Sequence, residues 1–429
     1  MTSEAPGETF VWVWLPSETA PVVAGRLWRD GERLIFNYGR SYLARKNAIS
    51  LYEPELPLST GAIPPIPGLT IAGCIRDAAP DAWGRRVILN RLFGAKGPEI
   101  DPGRVDELSY LLESGSDRIG GLDFQVSARD YVPRAAQTAT LDELMNAAGK
   151  VEAGIPLTPE LDQALFHGSS LGGARPKAMI EANDRKWIAK FSSTTDTFNV
   201  VKGEFIAMRL AAHVGLTVAP VRLESVAGKD VLLIERFDRE KTEDGYRRRI
   251  MVSALTLFGL DEMMARYTSY EDLAEIVRHR FTSPKETLRE LYGRLVFNIL
   301  CGNTDDHARN HAAFWDGRTL TLTPAYDICP QARTGNEASQ AMLIIGDQRA
   351  SKLALCIESA KNFLLSSEEA TGIISRQIAT IRERLETVCD EAGLGRVDRN
   401  LLTRRQFLNP SIFDGVPEEL TCRPQGADR

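Results

Sequence analysis

The feature that most constrains this chain is a polar stretch at residues 303–311, with the sequence NTDDHARNH. Asp305 and Asn310 stand five positions apart in it, which is the D-x-x-x-x-N spacing of a phosphotransfer catalytic loop. In such a loop the aspartate accepts or orients the proton of an attacking hydroxyl group, and the asparagine holds Mg²⁺ against nucleotide phosphates. The spacing alone is common by chance, so its value as evidence for a phosphotransfer site depends on the residues that follow it.

A predicted hairpin and a second aspartate follow this loop. Residues 313–315 and 318–322 have the pattern of strands, and Asp316-Gly317 between them indicates a two-residue type I′ turn. Asp327 comes soon after, in the sequence PAYD. A kinase places its second metal-binding carboxylate in this same order of loop, hairpin and aspartate. The combination is therefore more specific than the spacing alone.

Two other interpretations use the same residues. His307 and His311 stand at i and i+4, a spacing that binds zinc when both lie on a helix. A zinc hydrolase would have a general-base glutamate in an H-E-x-x-H motif, whereas the interior here is Ala-Arg-Asn, and an arginine would oppose a dication. The third interpretation is a polar helix-capping loop whose histidines bond locally, and it is favoured over zinc.

Composition narrows the class of protein. The 429 residues suffice for two or three domains, and 43% hydrophobic with 26% charged residues is typical of a globular protein. The net charge of −6 argues against nonspecific nucleic-acid binding by the whole surface. Six scattered cysteines without a CxxC pair indicate reduced thiols. Because no signal peptide is visible and no apolar run approaches the ~18 residues of a membrane span, we expect a cytoplasmic protein that binds no membrane.

Hydrophobic patterns predict three domains. Residues 1–135 combine short strands with helical segments and read as a small α/β domain. Residues 136–250 begin with a helix capped by Thr140 and continue through a glycine-rich segment into strands. Residues 251–429 are mainly helical, and the amphipathic helix predicted at 286–300 leads into the catalytic loop.

The glycine-rich segment opens the strand-rich part of the chain. Its small residues would let backbone N–H groups approach phosphate oxygens, and the lysine at its end adds a positive charge. It matches neither a Walker A motif nor GxGxxG, so a flexible surface loop is an equally good interpretation. Its residues are Gly172, Gly173, Ala174, Arg175, Pro176 and Lys177.

Lys190 is a charge within an otherwise apolar predicted strand. An exposed edge lysine is the plain structural interpretation, but a position between a glycine-rich loop and an acidic helix favours a lysine that binds nucleotide phosphates. Glu204 on that helix is either its ion-pair partner or a solvated side chain. Later strands lead into Glu235, Arg236 and Phe237, where a two-lobed kinase has a hinge whose backbone hydrogen-bonds adenine.

In this order the motifs resemble those of the HipA family of serine/threonine kinases, the toxin halves of bacterial toxin–antitoxin pairs. The resemblance covers most of the chain. It implies an α+β, two-lobed protein-kinase-like fold, with a mixed α/β small lobe and a mainly helical large lobe, after an N-terminal α/β domain. The matching segments are SLGGARPK at 170–177, ERFDR at 235–239, TDDHARN at 304–310 and YD at 326–327, with DAAPD at 77–81 and GSDRIGG at 115–121 in the N-terminal domain.

The resemblance implies a role for each candidate residue. Asp305 would be the catalytic base, and Asn310 and Asp327 would hold Mg²⁺. ATP would also be bound by Lys190, by His307, by the loop at 172–177 and by the hinge residues Glu235, Arg236 and Phe237. Ser170 would be an autophosphorylation site that switches the enzyme off, and the chemistry of the loop does not by itself separate it from Ser169.

Two positions depart from the pattern of the family. Arg175-Pro176 stands where Gln-Glu is frequent, and Asp306 stands where glycine is usual. We expect the first to affect loop mobility or nucleotide affinity, and the second to add a negative charge beside the catalytic aspartate. Neither removes a residue that the chemistry needs.

The function implied is that of an ATP- and Mg²⁺-dependent protein serine/threonine kinase acting as a toxin. Its substrates would be proteins such as aminoacyl-tRNA synthetases. Its partner would be a HipB-like helix-turn-helix antitoxin, with DNA contacted only indirectly through that antitoxin. The alternative is a DNA-associated corepressor of its own operon, in which the kinase site senses nucleotide but is weakly catalytic.

Overall fold

The computed structural model of the protein describes residues 6–94, 99–134, 139–193, 196, 198–333, 335 and 337–421. These residues divide into two compact units. The first unit contains the described residues before Phe198, together with Arg222–Asp261 and Ala312–Leu320. The second contains Phe198–Val221, Glu262–His311 and the described residues from Thr321 onward. The three domains predicted from the sequence stay a prediction.

The strands form four sheets in the described chain, with the orders β3-β2-β1-β4, β5-β6-β8-β7, β10-β9 and β11-β12-β13. Their bounds are β1 Glu8–Val13, β2 Val22–Asp30, β3 Arg33–Tyr38, β4 Leu122–Gln125, β5 Lys177–Ala182, β6 Arg185–Phe191, β7 Val221–Val226, β8 Lys229–Glu235, β9 Arg239–Thr242, β10 Gly245–Arg248, β11 Ile250–Ser253, β12 Ala312–Trp315 and β13 Leu320–Leu322.

After Ser253 the described chain is mainly helical, as the sequence indicates, although seven of the fourteen described α-helices precede that residue. Their bounds are α1 Arg40–Leu43, α2 Gly73–Arg76, α3 Ala82–Phe93, α4 Glu107–Glu113, α5 Leu141–Glu152, α6 Pro159–Leu165, α7 Val200–His213, α8 Ala254–Leu257, α9 Tyr270–Arg280, α10 Pro284–Cys301, α11 Leu353–Ser359, α12 Ser367–Glu391, α13 Arg396–Leu401 and α14 Glu418–Thr421.

The predicted cap of α5 is confirmed. The Glu143 N–H donates to Thr140 Oγ1 at 3.3 Å, and the Thr140 N–H donates to Glu143 Oε2 at 2.8 Å. This reciprocal capping box satisfies two backbone donors that the first turn of a helix would otherwise leave without partners. The same device starts α12, where Ser366 and Glu369 form the box.

In the first unit, the sheet β5-β6-β8-β7 packs against helices from both sides of the predicted boundary near residue 135. Asn183 and Asp184 have φ of 53° and 57°, the two positive values that a type I′ turn between β5 and β6 needs. One hydrophobic cluster joins the sheet to α3 and α5. It includes Trp83, Val87, Leu144, Ala148, Ala178, Trp187, Ala189, Phe191 and Leu233.

The turn between β12 and β13 differs from the prediction. Gly317 has a φ of 97°, but Asp316 does not have the positive φ that a type I′ turn would also require. Instead, Asp316 Oδ1 accepts the N–H groups of Arg318 and Thr319, both at 2.8 Å. The prediction of a two-residue type I′ turn was wrong, because the aspartate side chain organises a longer loop.

In the second unit, α7 and α12 pack together, and Arg209 of α7 forms an ion pair with Glu391 of α12 at 3.1 Å. α10 also contacts α12, since Gln377 Nε2 donates to the Gly293 carbonyl at 2.9 Å. The apolar stripe predicted on α10 is buried, including Leu288, Leu291, Leu295 and Ile299. A buried helix therefore leads the chain into residues 302–311.

Candidate active site

A tight turn ends α10 and begins the loop at residues 302–311. Gly302 has a φ of 73°, and a Cβ there would lie 2.9 Å from the Gln406 carbonyl oxygen, so the position requires glycine. The Asn303 N–H then donates to the Asn298 carbonyl at 2.8 Å, and Asn303 Nδ2 donates to Asn298 Oδ1 at 3.0 Å. These bonds fix the direction in which the chain approaches Asp305.

Asp305 and Asn310 are joined through the Asp305 carbonyl oxygen. It accepts the Asn310 Nδ2–H at 3.1 Å and the His307 N–H at 2.9 Å. The Asn310 N–H donates to the His307 carbonyl at 2.8 Å, which closes a 3₁₀ turn over Ala308–Asn310. Asp305 remains exposed while Asn310 is buried. The loop is therefore compact, with Asp305 on its exposed side and Asn310 in its interior.

The pKa of Asp305 is raised above its ordinary value of 3.8. Partial burial of the carboxyl group is the main cause. The charge of His307 acts against it, whereas the negative charges of Asp327 and Asp306 raise the pKa further. A carboxylate with a raised pKa accepts a proton more readily than an ordinary aspartate does.

Asp327 has a left-handed backbone, with a φ of 59°, which few residues other than glycine adopt. The segment before it is held at two points. The Ala325 N–H donates to the Thr217 carbonyl at 2.8 Å, and the Tyr326 hydroxyl donates to the Arg309 carbonyl of the catalytic loop at 2.8 Å. An aspartate held in a sparsely populated conformation is a candidate functional residue.

Asn310 and Asp327 offer side-chain oxygen atoms, which are the donor type that Mg²⁺ prefers. Asn310 uses its amide nitrogen to bond the Asp305 carbonyl, so its amide oxygen is the end that would meet a cation. Because the charge of Asp327 raises the pKa of Asp305, a dication beside these carboxylates would relieve their repulsion. Mg²⁺ is usually bound by one or two protein oxygens together with waters and substrate phosphates. Two oxygen ligands are therefore a suitable protein contribution.

The zinc interpretation of His307 and His311 does not suit the geometry. The residues between them form a 3₁₀ turn, and both histidines have extended backbones, so they do not share a helix face. The His311 Nε2 atom lies 2.9 Å from Asp306 Oδ1 in the interior. Among the described residues, no group of three or more His, Cys, Asp or Glu side chains is placed to hold a metal.

Asp306 adds its negative charge beside Asp305, as expected, and is also part of a buried network. Its carboxylate is 3% exposed, accepts a hydrogen bond from the Tyr270 hydroxyl and pairs with His311. Burial raises its pKa, but the His311 charge and the bonds from His311 and Tyr270 outweigh burial, so the pKa lies below 3.8. The network links the start of α9 to both ends of the loop. The contact between Tyr270 and Asp306 was not predicted from the sequence, because the two residues lie 36 positions apart.

The remaining predicted residues lie in the first unit, where the glycine-rich loop is held by its neighbours. Gly173 has a φ of 92°, and its N–H donates to Asp81 Oδ2 at 2.6 Å. Arg175 makes a two-bond contact with Asp196, at 2.7 and 3.1 Å. Ala174 is exposed, and the Pro176 carbonyl accepts the Phe191 N–H of β6 at 3.0 Å.

Lys177 and Lys190 are directly opposite each other in the β5–β6 pair. Opposed residues of an antiparallel pair point to the same face of a sheet. Both lysines are nearly buried, at 6% and 8% exposure, and the Lys177 Nζ donates to the Gly172 carbonyl. Two buried lysines on one face place positive charge next to the glycine-rich loop, as an anionic ligand would require.

The side chains of the predicted hinge contact other residues of the first unit. Glu235 accepts a bond from Arg185 at 2.6 Å, and the Arg236 N–H donates to the Lys186 carbonyl at 2.8 Å. The Phe237 ring packs edge-on against Phe314, with centroids 6.0 Å apart. The Arg236 side chain is 1% exposed and lies in a buried ionic network. A contact with adenine would therefore come from other backbone groups of this segment.

Asp117 is the centre of that network. Its carboxylate contacts Arg236 at 3.1 Å and Arg239 at 2.8 Å, and it also pairs with Lys186. Burial raises the pKa of Asp117, but the surrounding cations, among them Arg248, hold it well below 3.8. The segment 115–121 resembles the family's N-terminal domain, but no role for Asp117 was predicted from the sequence.

Both candidate serines are buried. Ser170 is 2% exposed, and its hydroxyl donates to the Asp117 carbonyl at 3.4 Å. Ser169 is fully buried, donates to the Phe166 carbonyl and accepts the Gly115 N–H at 3.3 Å. Phosphorylation of either hydroxyl would require the segment to move.

Two family models match this chain. The HipA N-terminal domain matches residues 13–125, and the HipA-like C-terminal domain matches residues 169–390, which is more than half of the chain. The chain belongs to the HipA family. The recognition made from the sequence motifs is thereby confirmed.

Curated relatives in the HipA family are named as kinases. A putative kinase, Y4mE, of Sinorhizobium fredii is 32% identical over 267 residues, covering 56% of this chain and 60% of that protein. The serine/threonine-protein kinase toxin HipA of Shewanella oneidensis is 26% identical over 204 residues, covering 42% of this chain and 47% of that protein. The alignments thus span about half to three-fifths of these relatives.

A solved structure confirms the predicted fold class. The HipA chain in a complex of Shewanella oneidensis HipA, HipB and operator DNA superposes with a TM-score of 0.65 at 19% identity, covering 94% of this chain and 99% of that chain. The fold is α+β and kinase-like. In the part of the chain that the structure describes, no helix has the length and apolar character needed to cross a membrane.

Proposed function

We propose that this HipA-family chain is an ATP- and Mg²⁺-dependent protein serine/threonine kinase. The observation that carries the proposal is the loop in which an exposed Asp305, with its pKa raised, is joined through its carbonyl to Asn310. Asp327, held in a left-handed conformation, is the third member of the set. Phosphoryl transfer requires positioning and charge stabilisation more than covalent chemistry, and these residue types provide both.

The proposal gives each of the following candidate site residues one role. Asp305 accepts or orients the proton of the attacking serine or threonine hydroxyl. Asn310 and Asp327 hold Mg²⁺, which neutralises charge on the phosphate oxygens when bound. Lys190 and Lys177 stabilise the phosphates from their shared face of the β5–β6 pair. His307 contributes to nucleotide binding from the catalytic loop.

The proposed biological role is that of a toxin in a toxin–antitoxin pair. One relative is named as a serine/threonine-protein kinase toxin, and one fold neighbour was solved with HipB and operator DNA. We infer a HipB-like helix-turn-helix antitoxin as partner, and a net charge of −6 agrees with DNA being contacted through that partner. The substrate is a cellular protein such as an aminoacyl-tRNA synthetase, in the cytoplasm.

Inhibitory autophosphorylation at Ser170 is part of the proposal. A phosphate adds about −1.5 to −2 charges and three acceptor oxygens, and the buried position of Ser170 leaves such a group without solvation, so the segment would leave its place. Mass spectrometry after incubation with Mg²⁺ and ATP should find phosphate on Ser170 in the wild type and none in Asp305→Asn. Phosphate at Ser170 together with full activity would contradict the switch.

Induced expression tests the biological role. Wild-type protein should arrest growth, and the phosphoproteome should contain a new serine or threonine site that is absent when Asp305→Asn is expressed. Asp347→Asn, which alters an exposed carboxylate of the second unit, is the matched control and should behave as wild type. Nucleotide binding without any phosphorylated protein would instead favour the corepressor alternative.

A further inference from the structure

The segment DAAPDAWG at residues 77–84 has no part in the chemistry described above, yet it contacts the glycine-rich loop directly. Asp81 Oδ2 accepts the Gly173 N–H at 2.6 Å. The same oxygen would lie 3.1 Å from a Cβ at Gly172. The carboxylate therefore lies against the two adjacent glycines of the loop.

Asp81 makes this contact instead of capping its own helix. It occupies the N-cap position of α3, where an aspartate side chain ordinarily accepts a backbone N–H of the first turn. No such bond is made by its side chain. The carboxylate is therefore directed towards the loop, about ninety positions later in the sequence, at the expense of the usual local bond.

Trp83 holds the same loop at two further points. Its N–H donates to the Gly173 carbonyl at 3.1 Å, and its indole Nε1–H donates to the Lys177 carbonyl at 2.9 Å. The Trp83 side chain is fully buried in the core shared by α3, α5 and the sheet. The N–H and C=O of Gly173 are thus both bonded to a rigid helix start.

Gly84 allows the helix to approach this closely. A Cβ at Gly84 would lie 2.2 Å from the Ser169 carbonyl oxygen, far inside van der Waals contact. α3 therefore packs against the backbone just before the loop, as well as against the loop itself. Glycines have the largest backbone freedom of any residue, so Gly172 and Gly173 gain most from an external restraint.

We propose that Asp81 and Trp83 are positioning residues that hold the glycine-rich loop ready for nucleotide phosphates. This rests on the proposed function, in which that loop binds ATP. A loop that is ordered before binding loses less conformational entropy when the nucleotide arrives. The segment at 77–84 of the N-terminal domain thus sets the affinity of the kinase site for ATP.

The test compares two substitutions of Asp81 in the full chain. In Asp81→Ser the side chain is too short to reach Gly173, but serine is a good N-cap, so α3 still starts normally. In Asp81→Asn the amide oxygen can still accept the Gly173 N–H. Asp101→Ala is the matched control, because Asp101 Oδ1 accepts the Gly103 N–H at 3.0 Å in the same way elsewhere in the unit.

Two measurements are expected to change together. In nucleotide-free Asp81→Ser, hydrogen–deuterium exchange of the peptide covering residues 171–176 should be about tenfold faster, which corresponds to about 1.4 kcal/mol. The KM for ATP should rise about tenfold while kcat stays within about twofold, since only uniform binding is lost. Asp81→Asn and Asp101→Ala should match the wild type in both measurements.

The exchange measurement does not depend on any enzyme activity. Unchanged exchange at 171–176 in Asp81→Ser would overturn the proposal, and so would a KM for ATP that is unchanged or lower. If the wild type neither binds nor uses ATP, the proposed function fails, and faster exchange in Asp81→Ser would still establish that Asp81 positions the loop.

Discussion

Replacing Tyr270 with phenylalanine tests whether the buried network supports the catalytic loop. The substitution removes one hydroxyl from a fully buried ring and leaves no large cavity. Asp306 then keeps His311 at 2.9 Å but loses the donor on its other oxygen. A hydrogen bond to a charged group contributes about 1.5–3 kcal/mol, so the free energy of unfolding should fall by about 2 kcal/mol.

A matched control exists in the same unit. Tyr292 on α10 is also fully buried, but among the described residues its hydroxyl has no hydrogen-bond partner. Tyr292→Phe should therefore leave stability unchanged or raise it slightly, because an unsatisfied buried hydroxyl is itself unfavourable. The pair separates the loss of the contacts that the Tyr270 hydroxyl makes with Asp306 and His311 from the general effect of removing a tyrosine hydroxyl.

Thermal melting followed by circular dichroism is the assay. For a unit of about 150–250 residues, 1 kcal/mol shifts the Tm by about 2–4 °C, so Tyr270→Phe should melt about 4–8 °C lower than the wild type. Its phosphotransfer kcat should also fall, by about tenfold, because a loosened loop misplaces Asp305. If Tyr270→Phe and Tyr292→Phe melted at the same temperature, the bond to Asp306 would not support the loop.

Three further predictions address charge. Lys190→Ala should weaken ATP binding in a calorimetric titration more than Lys177→Ala does. Lys190 lies in β6 between β5 and β8, whereas Lys177 starts β5 at the edge of the sheet. Equal losses of ATP affinity in the two variants would contradict this prediction. Asp327→Ala should abolish the part of ATP binding that depends on Mg²⁺, measured by titrating with and without the ion. Asp117→Asn should lower the urea midpoint of unfolding at pH 7. The difference in midpoint between the wild type and Asp117→Asn should shrink as the pH falls below 3.8, because the pH then approaches the depressed pKa of Asp117 in the folded state. A deficit independent of pH would refute that reasoning.

The parts of the site that the sequence predicted are those encoded by local spacing. The Asp305–Asn310 pair and the following hairpin and aspartate lie within one short segment, so their order is visible without tertiary structure. The capping box at Thr140 and the apolar stripe of α10 are local in the same sense. Both follow from backbone geometry that a few neighbouring residues determine.

The contacts that the sequence did not predict join residues that are far apart in the chain. Tyr270 reaches Asp306 across 36 positions, and Asp81 reaches Gly173 across 92. Such contacts depend on how whole helices pack, which no spacing rule encodes. The same cause explains Asp306, whose negative charge raises the pKa of Asp305 as expected, but whose burial against His311 was not predicted.

The error in the turn between β12 and β13 has a different origin. Asp316-Gly317 has the composition of a type I′ turn, but the Asp316 carboxylate bonds two backbone N–H groups and selects another loop. A short polar side chain can compete with the standard turn for the same donors, and composition does not show which will prevail.

The most direct test of the central claim is transfer of the labelled γ-phosphate of ATP to protein by the purified chain in the presence of Mg²⁺. The wild type and Asp347→Asn should label a protein acceptor at equal rates, and Asp305→Asn should show no transfer while keeping the wild-type circular dichroism spectrum. Transfer by Asp305→Asn at near the wild-type rate would show that Asp305 is not the catalytic base and would contradict the account.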